Sequence, residues 1–172
     1  MILGMADSIA AHPVARTIRD EPRKTELSIF WELDGTPCQA RLDCLQDGTI
    51  WDIKSCRDAS KICFQRSIIE YRYHMQAAWY IDGAYRCGLA TPETRYMWIA
   101  VKNEPPYQLA VYQCSLDLLS LGHDLCEKVV AMWRECERTG VWPAAYSQEI
   151  IQMAAPAWLL PKTEFDAHHP GA

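Results

Sequence analysis

The chain has 172 residues, 49% hydrophobic and 23% charged, with a formal net charge of −5. That is enough apolar material for one core, so the simplest reading is a single domain over residues 1–161 and a flexible tail at 162–172. The acidic balance speaks against a protein that coats nucleic acid by charge alone. No run of about 18 apolar residues is present to cross a membrane, and the N-terminus has no basic segment leading into an apolar one, so neither a membrane protein nor a secreted one is expected. Eight cysteines, at 38, 44, 56, 63, 87, 114, 126 and 136, form no Cys-x-x-Cys pair and no close Cys/His quartet, which argues against structural zinc. Most sit in apolar runs, where free Cys behaves as a small buried hydrophobe. Reduced thiols in a cytoplasm are the expectation.

In chain order, residues 5–20 read as a helix, or two short ones, interrupted at His12-Pro13. Glu26 to Leu33 reads as a strand closed by Asp34-Gly35. Strands at 37–45 and 49–55 flank Gln46-Asp47-Gly48, and Asp-Gly between two β-prone apolar runs is a strong hairpin signal. A long helix is predicted from Ala59 to Tyr85, with Asp58 placed as its N-cap and Gly88 beyond its end. Thr94 to Lys102 reads as a buried strand, Asn103 to Pro106 as a turn and Gln108 to Cys114 as a further strand. Leu116 to Arg138 carries apolar residues at 118, 121, 125, 129 and 132, an amphipathic helix. From Val141 onward, Trp142-Pro143 and Pro156-Ala157-Trp158 suggest irregular structure packing aromatics on the body. The sum is an α/β protein with a mixed central sheet flanked by helices.

The chemistry concentrates on the second hairpin. Side chains alternate along a strand, so Asp52 and Lys54 share a face, and pairing across the short turn can bring Asp43 beside them. Two carboxylates and an amine on one sheet face are costly to bury without a purpose. Two carboxylates plus a backbone carbonyl suit Mg²⁺, a hard cation that keeps several waters, and a nearby lysine can hold or polarise the attacking water. That is the chemistry of metal-assisted phosphodiester hydrolysis. Asp-x-Lys on a strand is equally compatible with a solvated face and a weak surface ion pair. Arg41, Arg57, Lys61, Arg66 and Arg72 make the neighbourhood locally basic, and Arg66, Arg72 and Tyr73 are candidate DNA contacts. On the long helix, Tyr73, Gln76 and Tyr80 fall on one face. His74, Tyr71 and Trp79 read as packing residues, and His168-His169 as part of the tail.

Trp51-Asp52-Ile53-Lys54-Ser55, followed by the run from Ile69-Glu70-Tyr71-Arg72-Tyr73-His74-Met75-Gln76 to Tyr80-Ile81-Asp82-Gly83, resembles the RecE-type exodeoxyribonuclease (exonuclease VIII) catalytic domain. That family lies in the PD-(D/E)XK nuclease superfamily, alongside RecB-type and lambda-type exonucleases. The likeness extends through Glu26 to Trp31, Cys38 to Asp43 and Trp142-Pro143, covering roughly residues 10–160. It implies a restriction-endonuclease-like core in which Asp43, Asp52 and the Ile53 carbonyl ligate Mg²⁺ or Mn²⁺, with Glu26 at a family acidic position. Lys54 would orient or activate water, and Gln76 and Tyr80 would match the family's Gln-x-x-x-Tyr motif beside the active site. The implied activity is exonucleolytic hydrolysis of double-stranded DNA from ends, in phage or prophage recombination or repair. The implied partners are a single-strand annealing protein and further copies of the chain in a homo-oligomer. Two departures stand out. Leu42 replaces the superfamily proline, which is not a ligand. The chain also begins too late for an upstream helical segment whose histidine or glutamate completes the family's metal site; His12, next to Pro13, looks like a helix end. A non-catalytic DNA-binding or assembly subunit is therefore the main alternative, with a nucleotide hydrolase and an endonuclease behind it.

Overall fold

Two Asp-Gly turns organise the first half of the chain. Asp34 and Gly35 have φ of 47° and 84°, and Asp47 and Gly48 have φ of 44° and 63°, the paired positive values of a type I′ turn, whose twist matches that of the strands it joins. In this computed structural model, which describes residues 1–143 and 149–155, they connect β1 (Lys24–Leu33), β2 (Thr36–Gln46) and β3 (Thr49–Cys56) into an antiparallel meander. Before it stand α1 (Ile2–Ala11) and α2 (Thr17–Asp20). Between those helices His12 Nδ1 accepts the Val14 and Ala15 N–H groups at 3.2 and 3.1 Å, the break expected at His12-Pro13. Beyond the meander come α3 (Lys61–Glu70), α4 (Tyr73–Arg86), β4 (Arg95–Lys102), β5 (Leu109–Gln113) and α5 (Leu116–Thr139).

The five strands lie in the order β1-β2-β3-β4-β5, with β3 and β4 parallel and every other pair antiparallel. A parallel pair needs a crossover, and α3 and α4 supply it. The crossover face holds the larger core: Leu42, Ile50, Tyr96 and Trp98 from the sheet meet Phe64, Ile68, Ala77 and Ala84 from the helices. On the opposite face Cys44, Trp51 and Ile99 pack with Ala15, Ile9 and Ile18. Small residues let helices come close. A Cβ on Gly83 would fall 2.6 Å from the Trp31 ring, and one on Gly122 of α5 would overlap the His74 main-chain carbonyl of α4.

The single helix expected from Ala59 to Tyr85 is two helices. Arg72 sits between them in the left-handed region, φ 58°, which a non-glycine residue adopts only under constraint. Part of that constraint is visible: buried His74 donates from Nδ1 to the Ile68 carbonyl at 3.1 Å, satisfying an acceptor that the end of α3 leaves open. At the other end of the pair, Ser60 is the N-cap of α3 and Asp58 is not; its carboxylate accepts the Ser60 N–H at 2.8 Å instead. Gly88, φ 68°, closes α4 in a Schellman arrangement, with Gly88 N–H on Tyr85 O and Leu89 N–H on Ala84 O. Tyr71, expected in the core, is 59% exposed, whereas Trp79 is half-buried with its ring 4.9 Å from that of Trp31.

All eight cysteines are free thiols, and burial pushes Cys114 up to about 12 and Cys126 to about 11. Among the described residues no helix is long and apolar enough to cross a membrane. The chain divides into two compact units, residues 1–138 and 139–172. In the second, residues 140–143 and 149–155 form neither helix nor strand; Pro156-Ala157-Trp158 and the tail at 162–172 lie outside the described residues.

Candidate active site

The β2–β3 ladder runs through Gln46↔Thr49, Leu45↔Ile50 and Cys44↔Trp51 and then stops. The next positions are Asp43 and Asp52. There a side chain takes over from the main chain: Asp43 Oδ2 accepts the Ile53 N–H at 3.1 Å. A residue's N–H and C=O leave the same edge of a strand, so the Ile53 carbonyl also faces the gap between β2 and β3. Burial pushes the Asp43 carboxyl above its usual range, the Ile53 N–H pulls it back, and the neighbouring Asp52 carboxylate pushes it up again. Like charges brought together out of water resist ionising, and a cation between them relieves that cost.

Asp52 is 2% exposed and is held from two sides. The Tyr96 hydroxyl donates to its Oδ2 at 2.9 Å, and the Lys54 ammonium lies 2.8 Å from the same oxygen. The Asp52 and Lys54 side chains therefore do meet, as the strand period requires. Lys54 has further restraints. Its Nζ donates to Gln76 Oε1 at 2.8 Å and stands 4.6 Å from the centre of the Tyr73 ring, a cation–π contact. Burial pushes the Tyr80 phenol above its usual range, and the nearby Gln76 side chain pulls it back. Tyr73, Gln76 and Tyr80 all lie on α4, and their helical spacing turns them to the sheet face that carries Lys54.

Tyr96 went unread in the sequence, where it merges into an apolar strand. The parallel register pairs Ile50 with Tyr96 and Asp52 with Trp98, so the phenol reaches Asp52 from two residues along the neighbouring strand. Burial first, and then the Asp52 charge, hold that phenol well above the ordinary tyrosine range, so it stays a neutral donor. A tyrosine in a buried strand generally needs a polar partner. That was the available signal, but it does not name the partner.

Other expected residues lie elsewhere. Glu26 is level with Asp43 in the β1–β2 register, yet its carboxylate pairs with Arg41 on an exposed surface and does not join the acidic pair. Its own φ is 53°, so the strand is distorted where it stands. Arg66 is exposed on α3. Arg72, exposed at the helix junction, borders a cleft of about 350 Å³ together with Gln76 and Tyr80.

The donor set of two carboxylates and a main-chain carbonyl fits Mg²⁺ or Mn²⁺, which prefer oxygen and leave positions to water and substrate. Among the described residues no third His, Cys, Asp or Glu joins Asp43 and Asp52. The one such trio, His123, Asp124 and Glu127, is exposed on α5 and has the ordinary character of a solvated helix face.

The family model described as "PDDEXK-like domain of unknown function (DUF3799)" matches residues 1–153. Among solved structures the chain is similar to one named "Putative exonuclease", from Eubacterium rectale, with a TM-score of 0.61 and 15% identity. That alignment covers 88% of this chain and 62% of the other, so the likeness is one of fold and the chain spans less than two-thirds of that relative. A second structure, SSO0001, aligns with a TM-score of 0.39 at 16% identity over 72% of this chain and 55% of that one, too loosely to argue from. No curated protein matches the chain. The mixed sheet with its flanking helices is a PD-(D/E)XK fold, and the likenesses reach that superfamily rather than the RecE type within it.

Proposed function

The chain belongs to the family of PDDEXK-like domains, and on that premise we propose that it is a divalent-metal-dependent deoxyribonuclease. Its substrate in this reading is double-stranded DNA, digested from an end in the manner of RecE-type exonucleases, in phage-type recombination or repair. A single-strand annealing protein and further copies of the chain are its proposed partners. The observation that carries the reading is the restraint on Lys54. Its ammonium is fixed by Asp52, Gln76 and Tyr73 beside a carboxylate pair in which Asp52 is buried and Asp43 half-buried, an arrangement too constrained for an incidental surface ion pair.

Asp43, Asp52 and the Ile53 carbonyl would hold the metal. When bound, it supplies Lewis-acid polarisation of the phosphate and a lowered pKa for water. The remaining work falls to the chain's own residues. Tyr96 fixes the Asp52 carboxylate in one orientation. Lys54 orients the attacking water and offers positive charge to the phosphate as negative charge develops there. Gln76 keeps the ammonium aimed, and Tyr80 stands one turn further along the same face of α4. Preorganised donors of this kind are already in position when the reaction begins, so little reorganisation is needed.

Linear and covalently closed duplex DNA, incubated with Mg²⁺ or Mn²⁺, test the reading. Linear duplex is degraded, closed circles persist, and Asp52→Asn or Lys54→Ala lowers the rate by about 100-fold or more. Cutting of closed circles would convert the reading to an endonuclease. Unchanged digestion by Asp52→Asn would remove the site from the chemistry. The alternative, a non-catalytic DNA-binding subunit, draws on the lack of a third ligand among the described residues. It predicts DNA binding without digestion in either metal.

A further inference from the structure

The α3–α4 junction has a property that a plain connection would lack. Tyr71 and Tyr73 are two residues apart, and in a continuous helix such residues do not face each other. Here the left-handed Arg72 between them, φ 58°, brings the two rings to 5.6 Å at an interplanar angle of 33°. A strained residue that creates one specific contact is a reason to look for a role. The contact does little for the core, because Tyr71 is 59% exposed.

Both rings line a polar cleft of about 530 Å³ between the end of β3 and α3. Ser55, the residue after Lys54, lines it as well, and the Lys54 ammonium stands over the Tyr73 ring. The cleft therefore begins where the proposed chemistry ends. Its remaining polar groups are mixed in character: Arg57, Ser67 and Asn103, with the carboxylates of Asp58 and Glu70. Two carboxylates against one guanidinium disfavour a phosphate. Acceptors, hydroxyls and an amide beside an exposed aromatic ring suit a flat heterocycle that has donors and acceptors on its edge and a π-face to stack.

We propose that this cleft is a nucleobase subsite, and that Tyr71, backed by Tyr73, stacks an unpaired base of the DNA strand next to the scissile phosphate. The assignment of the base to a DNA strand rests on the nuclease reading. The subsite selects for an unpaired nucleotide, because a base inside an intact duplex has no free face to offer. It thereby gives the protein a preference for frayed or tailed ends.

The test uses the full chain and a duplex with a short single-stranded tail carrying 2-aminopurine, in EDTA so that no cleavage occurs. Wild-type protein quenches the 2-aminopurine emission by stacking. Tyr71→Phe retains the quench, and Tyr71→Ala loses it and binds the tailed duplex about tenfold or more weakly. Melting midpoints establish that both variants fold, and a fully paired blunt duplex shows the smaller difference between wild type and Tyr71→Ala. Equal quenching by Tyr71→Ala, or no quenching by wild type, overturns the subsite. So does displacement of the tailed duplex by a free deoxynucleoside monophosphate at matching concentration, which would make the cleft a mononucleotide site. Digestion of linear DNA with Mg²⁺ but no quench removes this inference alone. A Tyr71-dependent quench without digestion in any divalent metal removes the nuclease reading alone.

Discussion

The two hairpins of the meander close with the same turn chemistry and then behave differently. β1 and β2 pair at nine positions, with one omission at Glu26 opposite Asp43. β2 and β3 pair at three and part at Asp43 and Asp52. Both interruptions fall on the row that contains Asp43. A regular ladder uses every main-chain group and leaves nothing for a ligand. The interrupted row frees an Ile53 N–H for the Asp43 carboxylate and leaves the Ile53 carbonyl for the metal that the proposed function requires. The first hairpin is thus built for packing, and the second, beyond its turn, carries the residues of the proposed chemistry.

Substitutions can break this contrast or sharpen it. Trp31→Ala strikes the regular hairpin, where the ring packs on Trp79 and against Gly83. It costs about 3–5 kcal/mol in denaturant unfolding, yet digestion per folded molecule stays near wild type; a matching loss of digestion would mean the two hairpins are not separable. Tyr96→Phe acts on the interrupted row. Loss of a carboxylate-orienting hydroxyl lowers metal affinity or activity by about 10- to 100-fold, read by metal titration of digestion and of thermal stability. An unchanged metal midpoint would mean that Tyr96 only fills space.

Asp43→Asn is the subtlest. A carboxyl whose pKa is raised on folding binds its proton more tightly folded than unfolded, so folding stability falls as pH rises from the ordinary carboxylate value through the raised one. Removing the charge therefore raises the melting midpoint of metal-free protein near pH 7. The gain vanishes in acid, where the wild-type carboxyl is protonated in both states. Added Mg²⁺ reverses the order, stabilising wild type and not Asp43→Asn. A variant that melts below wild type in EDTA at neutral pH would show the Ile53 hydrogen bond to outweigh desolvation.

Much of the fold was legible because its signals are local. Asp-Gly fixes both turns, a period of two sets Asp52 and Lys54 on one face, and a period of 3.6 gathers Tyr73, Gln76 and Tyr80. What escaped depends on distance in sequence or on backbone geometry. Tyr96 reaches Asp52 across a parallel pairing that no local pattern encodes. The break at Arg72 carries no glycine or proline to announce it, and its support, the His74–Ile68 bond, spans six residues. Glu26 is level with Asp43, as an acidic row would have it, and only the three-dimensional course of its side chain sends it to Arg41.

Gly122 has a reach well beyond its own helix. With no Cβ, it lets α5 lie directly on the main chain of α4 at His74, the second residue of α4 and the neighbour of Tyr73. A single methyl there would act as a shim under the first turn of α4, tilting the turn that carries Tyr73 and Gln76. The clearance between two helices is in this sense a tolerance on a lysine: the ammonium of Lys54 is aimed by an atom that α5 does not have.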